Sequence, residues 1–286
     1  MAKITWLASY PKSGSTWVRI LLANFQDDSG EPVDINRLSA FVSYSRVDFD
    51  DHAGLEASCL SAQVVERLQP AAYRAIAEES GNFLLCKVHD KWRRTDRGEP
   101  VFPAEVTAGV IYIVRNVLDL AASCAHHWGC DHAAAVQRLC DTSFALGASP
   151  DRLSLALPQP LGSWTDHVAS WLDQSNLACQ LVRYEDLQAD AVNAFGAVTR
   201  FCGFPDDAKK LARAVARSAF SILQGQERRN GFREASSEAP ARFFRRGEAG
   251  AWREELAADL VRRLIDAHGD TMRRFGYIDE QGYPVG

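Results

Sequence analysis

The feature that most constrains the fold is an apolar run followed at once by a short loop rich in turn-forming and hydroxyl residues. The run is Ile4–Ala8, and the loop is Ser9-Tyr10-Pro11-Lys12-Ser13-Gly14-Ser15-Thr16-Trp17. Gly14 permits a tight turn that points backbone N–H groups inward, and the hydroxyl residues after it begin a helix whose positive end faces an anion. Lys12 adds a mobile cation at the same point. The sequence therefore predicts a strand, a phosphate-binding loop and a helix in that order.

The order of residues in this loop separates it from the common ATP-binding loop. In the Walker A pattern, Gly-x-x-x-x-Gly-Lys-[Ser/Thr], the lysine follows the second glycine. Here Lys12 precedes Gly14. The phosphate-bearing ligand therefore need not be ATP.

Composition excludes several classes of protein. With 286 residues, 47% hydrophobic and 24% charged, the chain is a globular protein with a sizeable core, and its net charge of −5 argues against a nucleic-acid partner. The first strand begins at Ile4, which leaves no room for a signal peptide, and no apolar run approaches the ~20 residues of a membrane span. Seven cysteines without a C-x-x-C pair predict reduced, mostly buried thiols. We expect a soluble cytoplasmic protein, and its many Arg and Ala residues fit a bacterial source.

Short apolar runs alternate with helical periodicity, which predicts a single α/β domain over residues 1–286 with a mainly parallel central sheet flanked by helices. The predicted strands are Ile4–Ala8, Phe83–Val88, Val110–Val114 and Gln180–Arg183. The predicted helices are Thr16–Phe25, Ala62–Glu79 interrupted at Pro70, Leu118–His127, Asp131–Cys140, Trp164–Gln174, Asp190–Phe201 and Arg253–Phe275. Two regions without clear periodicity, 27–57 and 224–241, are predicted loops or lids over a site.

A histidine follows the second predicted strand. Leu85-Cys86-Lys87-Val88-His89 places His89 at the carboxyl edge of the sheet, where ligands of open α/β folds bind. A histidine there can act as a general base near neutral pH. The alternative is a loop histidine that bonds to the backbone, and the residues alone leave both interpretations open.

Basic residues follow the third strand and recur near the carboxyl end. Arg115 and Ser123 can reach one phosphate, although Arg115 could instead pair with Asp119 and Ser123 could bond to its own helix. Arg245 and Arg246, next to Gly247, are either a solvated charge pair or further phosphate ligands.

Six stretches together resemble sulfotransferases that use 3′-phosphoadenosine 5′-phosphosulfate (PAPS). The loop 10–17 is similar to the 5′-phosphosulfate loop of that family, and the stretch that begins at Tyr112 and ends at Ser123 is similar to its 3′-phosphate motif. The other four are Lys87-Val88-His89, with Val where the family has Thr, Tyr184-Glu185-Asp186, the short Ser218-Ala219-Phe220, and the segment from Phe243 to Arg253, with Arg246 where Lys is commoner. The resemblance extends from Tyr10 to Trp252.

The resemblance implies a P-loop-like three-layer fold and a role for each matched residue. His89 would be the catalytic base, Lys12 would stabilise charge on the leaving phosphate, and Lys87 would be a second cation at the transferred group. The nucleotide ligands would be Lys12, Ser13, Gly14, Ser15, Thr16, Trp17, Arg115, Ser123, Tyr184, Ser218, Phe220, Phe243, Arg245, Arg246 and Gly247. PAPS would be the co-substrate, adenosine 3′,5′-bisphosphate the product, and no metal is required.

Other properties stay open at this point. The dimer motif of the animal cytosolic enzymes, Lys-x-x-x-Thr-Val-x-x-x-Glu, is absent after Trp252, so a homodimer would use another interface. The carboxyl-terminal segments look more like bacterial members, including those that tailor glycopeptide antibiotics.

The acceptor would be a small-molecule phenol or alcohol. Two regions would wall its pocket: 27–57, which contains Phe41, Tyr44 and Phe49, and 128–160. The alternatives are a small-molecule kinase, with Asp186 or Asp119 holding Mg²⁺ beside ATP, and a nucleotide-binding module without catalysis.

Overall fold

The computed structural model describes residues 3–38, 41–43, 45–80, 83–147, 155–235 and 242–285. Contacts divide the chain into two compact units, each built from three separate segments. Unit 1 comprises Met1–Tyr10, Ala40–Tyr112 and Thr142–Leu181, and unit 2 comprises Pro11–Ser39, Ile113–Asp141 and Val182–Gly286.

The main sheet has five strands and lies mostly in unit 1. The strands in chain order are β1 (Ile4–Ser9), β2 (Phe41–Val42), β3 (Leu84–Val88), β4 (Thr107–Val114) and β7 (Cys179–Arg183), and a separate two-stranded sheet pairs β5 (Ala145–Leu146) with β6 (Gln159–Pro160). The order across the main sheet is β2-β3-β1-β4-β7, and β3 runs parallel to both β1 and β2. All six residues of β1 are buried, as an apolar run in a parallel sheet requires. The predicted α/β fold with a mostly parallel sheet is confirmed.

Twelve α-helices are found in the described part of the chain. They are α1 (Ser15–Gln26), α2 (Arg46–Ala53), α3 (Ala62–Glu79), α4 (Val117–His127), α5 (His132–Cys140), α6 (Trp164–Ala169), α7 (Tyr184–Ala189), α8 (Ala191–Phe201), α9 (Ala208–Arg217), α10 (Phe220–Asn230), α11 (Trp252–Glu255) and α12 (Ala258–Arg274). A π-helical turn, Ser170–Gln174, continues α6 directly. The predicted helices are all present, within a few residues at their ends.

Three details of the helix prediction are wrong. Helix α3 runs through Pro70 without a break, because a proline removes only one backbone hydrogen bond and Pro70 is buried in a packed helix. The predicted helix 253–275 is two helices, since Leu256 adopts an extended backbone after α11. The two regions predicted as loops are partly helical, because α2 lies in the first and α10 extends to Asn230 in the second.

The core of unit 1 is built on aromatic rings. Trp6 of β1 packs edge-on against Tyr73 and Phe102, with ring centroids 5.0 Å away in each case, and Phe102 contacts Trp171 at 4.9 Å. Trp171 lies with Trp164 and Val168 in the helical segment 164–174, and all three side chains are at most 1% exposed. These three side chains are therefore part of the core.

Two expectations about side chains need correction. Phe49, expected in the wall of an acceptor pocket, is buried in a cluster with Val65 and Leu157 and is a core residue of unit 1. Tyr44 and the Phe41 side chain lie outside the described residues. Of the seven cysteines, only Cys86 and Cys124 are buried, so the expectation of mostly buried thiols was too strong. In the described part of the chain, no helix is both long and apolar enough to cross a membrane.

Candidate active site

The predicted phosphate-binding loop between β1 and α1 has left-handed backbone at two positions. Lys12 and Gly14 both have left-handed φ angles, 70° and 110°. Gly14 is also the N-cap of α1 and supplies no side-chain hydrogen bond to the helix, so the first N–H groups of α1 lack a side-chain cap. The Ser13 hydroxyl is fully buried and has no hydrogen-bond partner among the described residues. Such orphan donors at a helix N-terminus are typical of an anion site.

Tyr184 at the start of α7 covers this loop. Its ring lies so close to Gly14 that a Cβ at that position would be 2.7 Å from Cδ2 of the tyrosine. The Trp17 ring lies edge-on to the same tyrosine, at 5.9 Å between centroids. Burial raises the Tyr184 pKa above its usual value, which keeps the phenol neutral. Glycine is thus required at position 14 for both conformation and space.

Arg115, directly after β4, connects the loop to a distant segment. One terminal nitrogen donates to the Lys12 carbonyl at 3.2 Å, and the other donates to the Glu248 carbonyl at 3.3 Å. The guanidinium lies over the Tyr184 ring, 4.2 Å from its centroid. Its Nε is buried and has no partner. Within the described residues Arg115 pairs with no carboxylate, so the alternative of an Arg115–Asp119 ion pair is wrong.

The Asp119 side chain bonds to the backbone near α11. Its carboxylate accepts hydrogen bonds from the backbone N–H groups of Gly250, at 2.9 Å, and Trp252, at 3.1 Å. It thereby attaches the segment before α11 to helix α4. Gln188 of α7 holds the same segment a few residues earlier, because its amide donates to the Gly247 carbonyl at 2.6 Å and accepts from the Ala249 N–H at 2.9 Å.

The segment 242–250 is anchored on its other side by α10. The Glu227 carboxylate accepts from the backbone N–H groups of Phe243 and Phe244, at 2.6 and 3.0 Å. Gln224 donates to the carbonyls of Phe244 and Arg245, both at 3.1 Å. Lys12 lies over the Phe243 ring, 3.5 Å from its centroid. Helix α10, which sequence analysis missed, therefore fixes the segment that contacts the loop.

Gly247 lies where the segment turns toward the loop. Its φ angle is 69°, and a Cβ there would overlap the Phe220 ring. The Tyr184 hydroxyl donates to the Gly247 carbonyl at 3.0 Å. Glycine is needed here because the backbone passes directly over an aromatic ring.

The two arginines before Gly247 are paired with acidic residues of α11. Arg245 contacts Glu255 at 2.9 Å, and Arg246 contacts Glu254 at 2.8 Å and Glu255 at 3.6 Å. The bond to Glu254 raises the pKa of Arg246 above its usual value. A cleft of about 540 Å³ adjoins Arg245 and Glu255, and it is lined also by Ala122 and His126 of α4. Sequence analysis did not foresee these carboxylates, because nothing in a local motif indicates which helix packs beside it.

Ser218 and Trp17 form a buried junction within unit 2. The Trp17 indole donates to the Ser218 carbonyl at 3.0 Å, and Asn24 of α1 donates to the Ser218 hydroxyl at 3.1 Å. Ser218 is fully buried.

Ser123 is half-buried on α4, the helix that begins after Arg115, and Cys124 beside it donates to the Pro11 carbonyl at 3.8 Å. Burial raises the Cys124 pKa to about 12, so this thiol is a structural support and not a nucleophile.

In unit 1, His89 follows β3 and is buried. Its Nδ1 lies 2.8 Å from the Ser9 carbonyl, an atom that can only accept, so Nδ1 carries the proton and donates. In the neutral ring Nε2 is then the acceptor nitrogen, as a general base needs. Lys87 lies two residues earlier, on the same face of the strand by the period of two, and is 6% exposed.

Two contacts close to His89 are not indicated by any local motif. The buried His167 lies 2.9 Å from the His89 carbonyl, and Asp90 pairs with Arg93 at 3.0 Å. The usable signal for His167 was its place as a polar residue among the apolar positions of a buried helix. No group of three or more His, Cys, Asp or Glu side chains in the described ranges is arranged to hold a metal ion.

Comparison with known proteins decides the family. A family model described as "Sulfotransferase domain" matches residues 3–276. The chain belongs to the sulfotransferase family. The resemblance inferred from the motifs is thereby confirmed, and the protein is a transferase enzyme.

The matched relatives have low sequence identity to this chain, but each alignment covers most of both chains. The chain is similar to sulfotransferase 2A6 of Rattus norvegicus, with 23% identity over 94% of this chain and 84% of the relative. It is similar to flavonol 3-sulfotransferase of Flaveria bidentis, with 21% identity over 91% of this chain and 78% of the relative.

Solved structures share the fold of this sulfotransferase. Mouse sulfotransferase SULT7A1 complexed with PAP superimposes with a TM-score of 0.62 and 19% identity, covering 95% of this chain and 84% of that one. Retinol dehydratase in complex with androsterone and the inactive cofactor PAP gives a TM-score of 0.63 and 15% identity, covering 94% and 80%.

Proposed function

We propose that this sulfotransferase moves the sulfuryl group of PAPS to a hydroxyl of a small-molecule phenol or alcohol. The observation that carries the proposal is Arg115, a buried guanidinium that has no carboxylate partner among the residues described and that donates to the backbone carbonyls of Lys12 and Glu248. A buried cation without a counter-ion is costly, so its retention points to an anionic ligand.

The residues of unit 2 fit a nucleotide with two phosphate groups. The orphan Ser13 hydroxyl and the uncapped start of α1 would bind the 5′-phosphate. Arg115 and Ser123 would bind the 3′-phosphate, with Arg245, Arg246 and Gly247 reinforcing that subsite. Tyr184, Phe220 and Phe243 would contact the nucleotide through their rings, and Trp17 and Ser218 would support them. Two solved relatives of the same fold hold PAP, which agrees with this assignment.

The proposed chemistry is an in-line displacement. When bound, PAPS supplies the sulfuryl group and the nucleotide leaving group. His89 accepts the proton of the attacking hydroxyl at Nε2, because its Nδ1–H is committed to the Ser9 carbonyl. Lys12 stabilises charge at the leaving phosphate oxygen, and Lys87 is a second cation for the transferred group.

The acceptor class is proposed from the relatives. One of them is named for a flavonol, and the retinol dehydratase structure contains androsterone. A phenol and a steroid alcohol are both hydrophobic molecules that carry a reactive hydroxyl. We therefore propose a hydrophobic hydroxyl compound as the acceptor of this chain.

The first test is a turnover assay. Pooled phenols, alcohols and sugars are incubated with PAPS, and products are detected by the mass of an added sulfuryl group. We expect sulfated phenol or alcohol with the wild-type protein and loss of product with His89→Ala. Transfer of phosphate from ATP–Mg²⁺ would support the kinase alternative, and binding of adenosine 3′,5′-bisphosphate without any turnover would support a non-catalytic module.

The second test needs no acceptor. We expect Arg115→Ala to weaken adenosine 3′,5′-bisphosphate by roughly 10–100-fold and adenosine 5′-monophosphate far less, since the charged hydrogen bonds to the 3′-phosphate are lost. Arg273→Ala, an exposed arginine of α12 paired with Asp270, is the matched control. Equal losses for both nucleotides, measured by calorimetry, would remove Arg115 from a 3′-phosphate subsite.

A further inference from the structure

One helix of unit 1 holds the backbone that follows β3 with three side chains. The His167 Nε2 lies 2.9 Å from the His89 carbonyl, and the Trp171 indole donates to the Asp90 carbonyl at 2.9 Å. The Trp92 N–H donates to the Ser170 hydroxyl at 3.0 Å. His167, Ser170 and Trp171 are spaced i, i+3, i+4, so they share one helix face, and none is more than 2% exposed. Together they bind backbone groups of residues 89, 90 and 92.

The hydrogen bonds of His167 determine its tautomer. A carbonyl can only accept, so Nε2 carries the proton and donates to His89. The other nitrogen, Nδ1, then accepts from the Tyr112 hydroxyl at 2.8 Å. The Tyr10 ring packs edge-on to the imidazole, at 5.4 Å between centroids. Burial lowers the His167 pKa to about 4, which keeps the ring neutral and its single donor directed at His89.

The position of these side chains depends on a local change of helix type. Helix α6 passes into the π-helical turn at Ser170, within the three-residue set itself. The Ser170 hydroxyl donates to the His167 carbonyl at 2.8 Å and so has its lone pairs available for the Trp92 N–H. π-Helical turns are rare in proteins, and those that occur are often found at functional sites.

We propose that His167, supported by Ser170 and Trp171, is a positioning residue that sets the backbone of His89 and thereby the direction of its imidazole. The inference rests on the proposed role of His89 as general base. His89 is held at two points: its ring by the Ser9 carbonyl and its own carbonyl by His167. When the second point is lost, the peptide can rotate and the bond from Nδ1–H to Ser9 lengthens. A displacement of about 1 Å in a reacting group can cost on the order of 100-fold in rate.

The test compares two polar substitutions of His167. A glutamine places an N–H donor near the position of the histidine Nε2, whereas an asparagine is too short to reach the His89 carbonyl. We expect His167→Asn to lower kcat by roughly 10–100-fold with little change in nucleotide affinity or KM, and His167→Gln to restore kcat to within about threefold of wild type. His268→Asn, at a buried histidine of unit 2, is the matched control and should leave kcat unchanged.

A second readout does not depend on turnover. The tautomer and pKa of His89 are measured by nitrogen-15 NMR of the imidazole, with the signal assigned by its loss in His89→Ala. We expect the Nδ1–H form in wild type and His167→Gln, and a mixture of tautomers in His167→Asn. If wild type sulfates nothing, the proposed function fails, while this spectrum still decides whether His167 orients His89.

A further variant covers the case in which His167→Asn does not fold. Trp171→Phe keeps the aromatic core but removes the donor to the Asp90 carbonyl. We expect a smaller loss of kcat, about three- to tenfold, with the same change of the His89 signal. Identical His89 spectra and kcat in wild type, His167→Asn and Trp171→Phe would overturn the proposal.

Discussion

At the scale of single residues, the candidate nucleotide site is a set of cations with unequal partners. In the part of the chain that the structure describes, Arg115 contacts backbone carbonyls and an aromatic face, whereas Arg245 and Arg246 bond to the carboxylates of α11. A phosphate would therefore meet Arg115 directly but would compete with Glu255 for Arg245.

This competition predicts a gain of affinity on removal of a carboxylate. We expect Glu255→Gln to strengthen adenosine 3′,5′-bisphosphate by about 1.5–5-fold, since a partly exposed ion pair contributes roughly 0.2–1 kcal/mol. Glu254→Gln is the control, because Glu254 is more exposed and pairs with Arg246 at the surface, so its effect should be smaller. Calorimetric titration of both variants measures the difference. A weaker complex with Glu255→Gln would mean that the glutamate supports the site.

Lys12 and His89 carry separate predictions for turnover. We expect Lys12→Ala to cost on the order of 3 kcal/mol of transition-state stabilisation, because a donor at a developing charge is lost. This loss should appear as a lower kcat. If only the KM for PAPS changes in steady-state kinetics, Lys12 binds the co-substrate without stabilising the transition state.

His89→Ala should lower kcat by roughly 10²–10⁴-fold and leave the affinity for adenosine 3′,5′-bisphosphate nearly unchanged, since a general base acts on the acceptor proton. Single-turnover rates and calorimetry measure the two quantities. A kcat within a few-fold of wild type would exclude His89 as the base.

At the scale of elements, the loop before α1 depends on the packing of α7 against it. Gly14 has a φ of 110° and lies directly beneath the Tyr184 ring. Sequence analysis predicted the glycine from the turn alone. The aromatic ring above it comes from a helix 170 residues later in the chain.

Two glycines of unit 2 separate backbone strain from this packing. We expect Gly14→Ala to lower the free energy of unfolding by about 2–4 kcal/mol, the sum of a disfavoured φ and displacement of Tyr184. Gly30→Ala is the control: its φ is 100°, but nothing lies within 4 Å of the added Cβ, so only the strain of about 1 kcal/mol remains. Denaturant unfolding measures both. Equal losses for the two variants would show that Tyr184 does not restrict position 14.

At the scale of the whole molecule, the described contacts form two compact units. The residues proposed for the nucleotide site, from Lys12 to Gly247, lie in unit 2, and His89, Lys87 and His167 lie in unit 1. Each unit is built from three separate segments of the chain. Residues that are distant in sequence are thereby brought together inside each unit.

Burial of His167 also predicts how stability depends on pH. Its pKa falls from the ordinary 6.5 to about 4 on folding, so the unfolded chain binds the proton more readily in between. Stability from this group is complete above pH 6.5 and is lost as pH falls toward 4, by up to roughly 3 kcal/mol. We expect the difference in unfolding free energy between wild type and His167→Gln to change over this range, because glutamine does not titrate. A difference that is constant from pH 7 to 4 would contradict the prediction.

Local sequence patterns were enough to predict the strand-loop-helix units and the residues at strand ends, because these depend on neighbours within a few positions. The apolar run of β1, the turn at Gly14, and the places of His89 and Arg115 all follow from local periodicity and turn chemistry. The contacts of those residues, in contrast, follow from how the elements pack in the folded chain. Arg115 donates to the backbone carbonyl of Glu248, Arg245 pairs with Glu255, and the His167 ring bonds to the His89 carbonyl. Each such partner depends on which elements pack side by side, and packing is set by the whole chain and not by a local pattern.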